Sequence, residues 1–187
     1  MSPPPIDARG AHADLLQVRR WVFDDIAAIR RITLEAWLDA YRGFIPEEDL
    51  RDYFGRHFSV EALERAMASP DVHGFMGEHA GRALAWMRTH WDPGTGRCSM
   101  TSLYVLPDSQ RRGAGARLLE VAERCARSHR SGELWLGVME QNRPALEWYL
   151  RHGFAVRGTE PFTMGKTTVT LCLCAKQLET KGTANGR

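Results

Sequence analysis

The chain has 187 residues, 43% of them hydrophobic, which suits one domain with a core of its own. Its 25 basic and 23 acidic side chains are well mixed and leave a net charge of +2, an argument against nucleic acid or a membrane surface as the main partner. Four cysteines without metal-ligand spacing, no long apolar run and no signal-peptide pattern point to a reducing, cytoplasmic setting and to no bound metal.

Met1 to Ala13 and Glu179 to Arg187 are polar or proline-rich and are expected to be flexible ends around a single domain at 14–178. Leu16 to Arg20 fits an edge strand. Asp24 or Asp25 can cap the helix that follows, where Ile26, Ile29, Ile32 or Thr33, Ala36, Trp37 and Ala40 form an apolar stripe until Gly43 stops it. Pro46 opens a second helix with Glu47, Glu48 and Asp49 in its first turn, and Ser59 caps a third that Pro70 ends. Asp71 to Glu78 and Arg82 to Trp91 then read as antiparallel strands around the turn His79-Ala80-Gly81, with another turn at 92–96.

Met100 to Leu106 alternates as a strand, with Thr101, Leu103 and Val105 on one face and Met100, Ser102 and Tyr104 on the other. After a loop, Leu118, Leu119, Ala122, Cys125 and Ala126 fall at helical spacing, with the pairs Glu120 to Arg124 and Glu123 to Arg127 on the wet face. Glu133 to Met139 is short and apolar enough for a buried strand, so the unit implies a parallel pair with a right-handed crossover. Beyond Phe154, Ala155 to Arg157 and Thr167 to Lys176 look like a closing antiparallel pair, with Val169, Leu171 and Leu173 sharing a face. Cys172 and Cys174 share a face of that strand, a poor arrangement for a mutual disulfide. The expected fold class is α/β (α+β), a mixed and mostly antiparallel sheet flanked by helices.

The loop Gln110-Arg111-Arg112-Gly113-Ala114-Gly115-Ala116 lies between that strand and helix. Its glycines let backbone N–H groups converge where a helix begins, and two arginines stand beside them, which makes an anion site suited to phosphates. It is not a P-loop, because Gly115 is followed by Ala116 and Arg117 instead of Lys and Ser/Thr. Nor is it a dinucleotide fingerprint, because Leu118 stands where a third glycine belongs.

Gln110 to Gly115 resembles the acetyl-CoA-binding motif Gln/Arg-x-x-Gly-x-Gly/Ala of the GNAT superfamily of N-acetyltransferases. Asn142-Arg143-Pro144-Ala145, then Trp148-Tyr149 and Gly153-Phe154, resembles that superfamily's next motif, in the correct order and spacing. The resemblance covers about 82–154 and implies a GNAT-like acyl-CoA acyltransferase fold with one splayed parallel strand pair. It implies acetyl-CoA as acyl donor, held by the loop at 110–116, by backbone groups at Leu103, Tyr104 and Val105, and by Asn142. It further implies that Tyr149 donates to the leaving sulfur and that the segment between the first two strands covers the acceptor, with Trp37, Tyr41 and Phe44 as walls and Glu35 or Asp39 facing a cationic amine. By spacing alone, the aromatics and Tyr149 read equally as core, and Asn142 as an N-cap.

Direct attack on a thioester through a tetrahedral intermediate needs a neutral amine. A lysine-like amine of pKa about 10.4 is neutral only about once in 2,500 molecules at pH 7, a deficit of roughly 4.6 kcal/mol unless the site removes the proton. Glu140, Glu35 and Asp39 are the candidate bases, with His90 behind them. The acceptor reads as a primary amine, with the acids at 35, 39, 47 and 48 leaning towards a cationic small molecule. The alternatives are a protein N-terminus or lysine, or a non-catalytic acyl-CoA-binding sensor domain, which retention of Tyr149 disfavours. The protein is expected as a monomer or homodimer.

Overall fold

The computed structural model describes residues 16–179, so the expectations for 1–13 and for the tail beyond Glu179 lie outside the described residues. In chain order the elements are β1 (Gln17–Arg20), α1 (Ile26–Ala40), α2 (Glu47–His57), α3 (Val60–Ala68), β2 (Val72–His79), β3 (Arg82–Asp92), β4 (Arg97–Val105), α4 (Ala114–Ser128), β5 (Glu133–Met139), α5 (Arg143–Arg151), β6 (Ala155–Met164) and β7 (Thr167–Gln177). The strands form one sheet in the order β1-β2-β3-β4-β5-β7-β6. Only β4 and β5 run parallel; the other neighbours are antiparallel. Among the described residues no helix is long and apolar enough to cross a membrane.

Each face of the sheet carries a core. On one side Leu118, Ala122 and Ala126 of α4 and Leu146 of α5 bury against Met87, Met100, Leu134 and Leu136. On the other, Ile29, Ile32 and Trp37 of α1, Leu50 and Phe54 of α2 and Leu63 of α3 cover Met76 and Trp86. Buried Thr33 carries a polar group into this second core without an orphan. Its Oγ1 donates to the Ile29 carbonyl at 2.8 Å and accepts from Trp86 Nε1 at 2.9 Å. Two caps follow the sequence, with Ser59 Oγ accepting from Ala62 N at 3.2 Å and Asn142 Oδ1 from Ala145 N at 3.3 Å, whereas Asp25 at the start of α1 makes no side-chain cap because its carboxylate is taken by Arg19 at 2.7 Å.

Three further local expectations are corrected. In β4, Arg88 pairs with Ser102 but Thr89 pairs with Met100, so Thr101 is an extra residue, a β-bulge. The bulge breaks the alternation and puts Met100 in the same core as Leu103 and Val105, instead of on the face of Ser102 and Tyr104. Glu120 pairs with Arg117 at 2.8 Å one turn back, instead of with Arg124, whereas Glu123 meets Arg127 at 3.2 Å as expected. β6 runs on from Ala155 to Met164 rather than ending near Arg157, because β7 pairs with it along its whole length. As an edge strand it tolerates Pro161. All four cysteines are free.

Candidate active site

β4 and β5 stay paired only at Cys98 with Leu134 and Ser99 with Trp135, after which the strands part. Each keeps its outer neighbour. Val105, Tyr104 and Leu103 pair with Ala85, Trp86 and Met87 of β3, while β5 pairs with β7 from Glu133 to Met139. The backbone groups of Leu103 to Val105 on the β5 side therefore have no strand partner and face an opening.

The start of α4 lies at the carboxyl end of β4. A short turn at Pro107–Ser109 leads through Gln110, whose Nε2 donates to the Val105 carbonyl at 3.4 Å, and then through Arg111 at φ 62° to Gly113 at φ 85°. That left-handed conformation is what requires glycine at 113. The first helical bond runs from Arg117 N to Gly113 O at 3.0 Å, so the N–H groups of Ala114, Gly115 and Ala116 have no acceptor within the helix. Open space surrounds Gly113, and the Gly115 backbone lies against Trp148, where an added Cβ would sit 3.5 Å from the indole. Convergent amides, a positive helix end and room beside them fit the phosphates of a nucleotide-like donor.

From this helix end a cleft of about 1230 Å³ runs past the β4/β5 gap to α1, α2 and the β6–β7 hairpin. Of the residues picked from the sequence, Leu103, Tyr104, Val105, Gln110, Arg111, Gly113, Gly115, Ala116, Asn142, Tyr149, Trp37, Asp39 and Tyr41 line it. Arg112, Ala114, Glu35, Glu140, Phe44 and His90 do not. Ala114 is buried under the helix start, Glu35 pairs with Arg31 at 3.4 Å, and Glu140 lies 3.7 Å from Arg143.

Tyr149 is half-buried, its ring 5.0 Å from Trp148 and 5.6 Å from Phe154, and burial pushes its phenol well above the ordinary tyrosine range. Tyr41 and Tyr104 are also shifted upward, in each case chiefly by burial. These phenols stay protonated at neutral pH and keep a hydrogen to donate.

Around Trp37 the cleft is aromatic, with Phe58 at 5.1 Å and Tyr41, Tyr53 and Tyr104 each at 6.0 Å between ring centroids. The sequence did not point to Tyr53, His57 or Phe58, which come from the far end of α2, nor to Phe162 and Met164, from the unforeseen length of β6. It did not point to Arg88 either. That side chain lies on the face of β3 that carries Trp86, with its guanidinium 5.5 Å from the Phe58 ring and 5.9 Å from that of Trp86. Burial lowers its pKa from the usual arginine value. The one signal available was its place two residues after Trp86 on an alternating strand.

Among the described residues no three His, Cys, Asp or Glu side chains group as a metal-ligand set. Comparison with known proteins matches residues 29–154 to the family model described as the acetyltransferase (GNAT) family. An uncharacterized N-acetyltransferase of Lactobacillus delbrueckii subsp. lactis is 23% identical over 160 residues, 82% of this chain and 92% of that protein. Another, of Mycobacterium tuberculosis, is 33% identical over 66 residues, 35% of this chain and 42% of its own length. The crystal structure of PaiA N-acetyltransferase from Thermoplasma acidophilum in complex with coenzyme A has a TM-score of 0.75 at 19% identity, covering 87% of this chain and 99% of that one. The structure of yncA from Salmonella typhimurium with its cofactor acetyl-CoA has a TM-score of 0.63 at 19% identity, covering 92% and 99%.

Proposed function

The chain belongs to the acetyltransferase (GNAT) family, and on that premise we propose that it moves an acetyl group from acetyl-CoA to the primary amine of a small molecule by direct attack in the cleft between β4 and β5. The observation that carries this reading is a parallel pair that separates after two residues beside a helix N-terminus with free amides. The CoA and acetyl-CoA held by PaiA and yncA support the same donor.

In this reading the diphosphate rests on the N–H groups of Gly115 and Ala116, with Arg111 beside it. The pantetheine arm lies along Leu103 to Val105 as an added strand would, taking the backbone bonds that β5 leaves unmade. A backbone N–H of the same segment polarises the thioester carbonyl and holds the oxyanion. The amine nitrogen forms the new C–N bond, the C–S bond breaks, and the thiolate leaves as the Tyr149 phenol donates a hydrogen bond to the sulfur.

The proton lost by the amine goes to Asp39 through water, since Asp39 is the one of the three expected acids that lines the cleft. Glu35 and Glu140 are held by Arg31 and Arg143 outside that lining. Released thiol followed with a panel of primary amines, with the product identified by its mass, tests the reading. Thiol release that depends on both enzyme and amine, with a matching N-acetyl product, is expected; acetyl-CoA hydrolysis indifferent to every amine sinks it.

A further inference from the structure

The acids that suggested a cationic acceptor are largely occupied. Glu35 pairs with Arg31 at 3.4 Å, Glu47 with Arg51 at 2.6 Å and Glu48 with Lys166 at 3.6 Å. Asp39 remains, and it lines the cleft. Against it stands a positive charge in the opposite situation. Arg88 also lines the cleft, yet among the described residues it pairs with no carboxylate. Its Nε donates to Thr101 Oγ1 at 3.2 Å, and the two Nη groups, with four N–H donors between them, are left for another partner.

The surroundings fix that fork in place. The guanidinium lies over Phe58 and Trp86, and Thr101 is the bulged residue of β4, so the bulge that interrupts the strand also presents the hydroxyl that orients Arg88. Arg88 stands opposite Ser102, on the sheet face shared by Trp86 and Tyr104, one to three residues along β4 from the amides assigned to the acetyl group. At about 3.3 Å per strand residue, the fork and the reacting carbonyl are within the span of one small molecule. Trp37 Nε1 and Ser102 Oγ, both buried without a hydrogen-bond partner, belong to the same end of the cleft, where the Trp37 and Tyr104 rings lie 6.0 Å apart. This end of the cleft is rich in donors and walled by aromatic rings. A planar guanidinium with two parallel N–H groups matches a carboxylate, and rings on the walls match an apolar body.

From these contacts we infer that the acceptor is an amino acid with an apolar side chain, its carboxylate held by the Arg88 guanidinium and its ammonium group directed towards Asp39. Arg88 is then the residue that determines acceptor specificity, and it discriminates against polyamines, which would bring a second positive charge to it. The inference rests on the acetyl-transfer reading and narrows it to one substrate class.

The test is acetyl-CoA-dependent thiol release with leucine, phenylalanine and the other apolar amino acids, their decarboxylated amines, and spermidine, each corrected for its fraction of neutral amine. The expected kcat/KM for the best amino acid exceeds that of its decarboxylated amine by at least about 100-fold, because a site built to bond a polar group rejects an analogue that lacks it. In Arg88→Gln the preference falls below about 10-fold while KM for acetyl-CoA stays unchanged, which shows that the fold and donor site are intact. Arg88→Lys restores part of the preference, since it keeps the charge and loses the fork. Decarboxylated amines or spermidine used as well as the amino acids overturn the inference and leave acetyl transfer standing. So does a protein that binds acetyl-CoA but shows neither thiol release nor a Tm rise with any amino acid. Failure to bind acetyl-CoA overturns the transfer reading beneath it.

Discussion

Tyr149→Phe removes one oxygen and nothing else that packs. The ring keeps its contacts with Trp148 at 5.0 Å and Phe154 at 5.6 Å, so global stability and acetyl-CoA affinity are expected to hold. The chemical step changes more. Even at ordinary values, a phenol near 10 protonating a thiolate near 8.5 is uphill by about 2 kcal/mol. Burial pushes the Tyr149 phenol higher still and widens that gap. The group therefore acts by sharing a hydrogen bond with the developing thiolate, not by early proton transfer. One such donor in a desolvated site contributes roughly 2.7 to 4 kcal/mol, so kcat should fall about 100- to 1000-fold.

The assay is steady-state thiol release at saturating amine, with KM for acetyl-CoA and Tm measured alongside. Because the phenol stays protonated well past neutrality, wild-type kcat should rise with pH as the acceptor amine deprotonates, with no loss from Tyr149 up to about pH 9.5. A variant whose kcat stays within threefold of wild type, with the same pH profile, would refute the assignment of Tyr149 as donor.

Two further perturbations test how the cleft is built and what surrounds it. Gly165, at φ 62°, turns the β6–β7 hairpin, and a Cβ there would collide with Asp49, which accepts from Lys166 N at 2.9 Å and Thr167 Oγ1 at 2.6 Å. Gly165→Ala should cost at least about 1–2 kcal/mol from the left-handed backbone alone, read by urea denaturation, and raise KM for the amine more than for acetyl-CoA. Unchanged stability would count against the hairpin anchor. On the far side of the molecule His73 Nε2 lies 3.0 Å from His129 Nε2, and burial first, then Arg20 and His129, lowers the His73 pKa. The folded protein binds a proton there less readily than the unfolded chain, so this stability is present above about pH 6.5 and lost as pH falls below it. The Tm drop between pH 7.5 and 5.5 should be smaller in His73→Gln; equal drops would refute the sign.

What was legible in the sequence is the chemistry that a short segment carries by itself. Gln110 to Gly115 and Asn142 to Phe154 could be read because a left-handed glycine, a helix end with free amides and an Asn N-cap are local properties, and α4 and α5 start where those residues place them. The bulge at Thr101 was not legible, because it is a mismatch of register between β3 and β4 and belongs to neither strand alone. β6 beyond Arg157 was hidden for a related reason. Gly158, Glu160 and Pro161 have poor strand character, and pairing with β7 holds them extended. Arg88 acquires its meaning from Phe58, thirty residues earlier, and from Thr101 across the sheet, so its place two residues after Trp86 was the one local mark it carried. The ion pairs that occupy Glu35 and Glu47 lie at i,i+4 spacing and were open to a sequence reading that weighed Arg31 and Arg51 beside them.

The most direct test of the donor site is thermal unfolding with and without acetyl-CoA, in wild type and in Gly113→Asp. A ligand at about 100 times its Kd adds roughly 2.7 kcal/mol, a Tm rise of about 5 to 11 °C for a domain of this size. That rise is expected in wild type and lost in the variant, where a carboxylate and a strained backbone replace the left-handed glycine at the start of α4. A wild-type Tm indifferent to saturating acetyl-CoA would rule out the donor site at the start of α4.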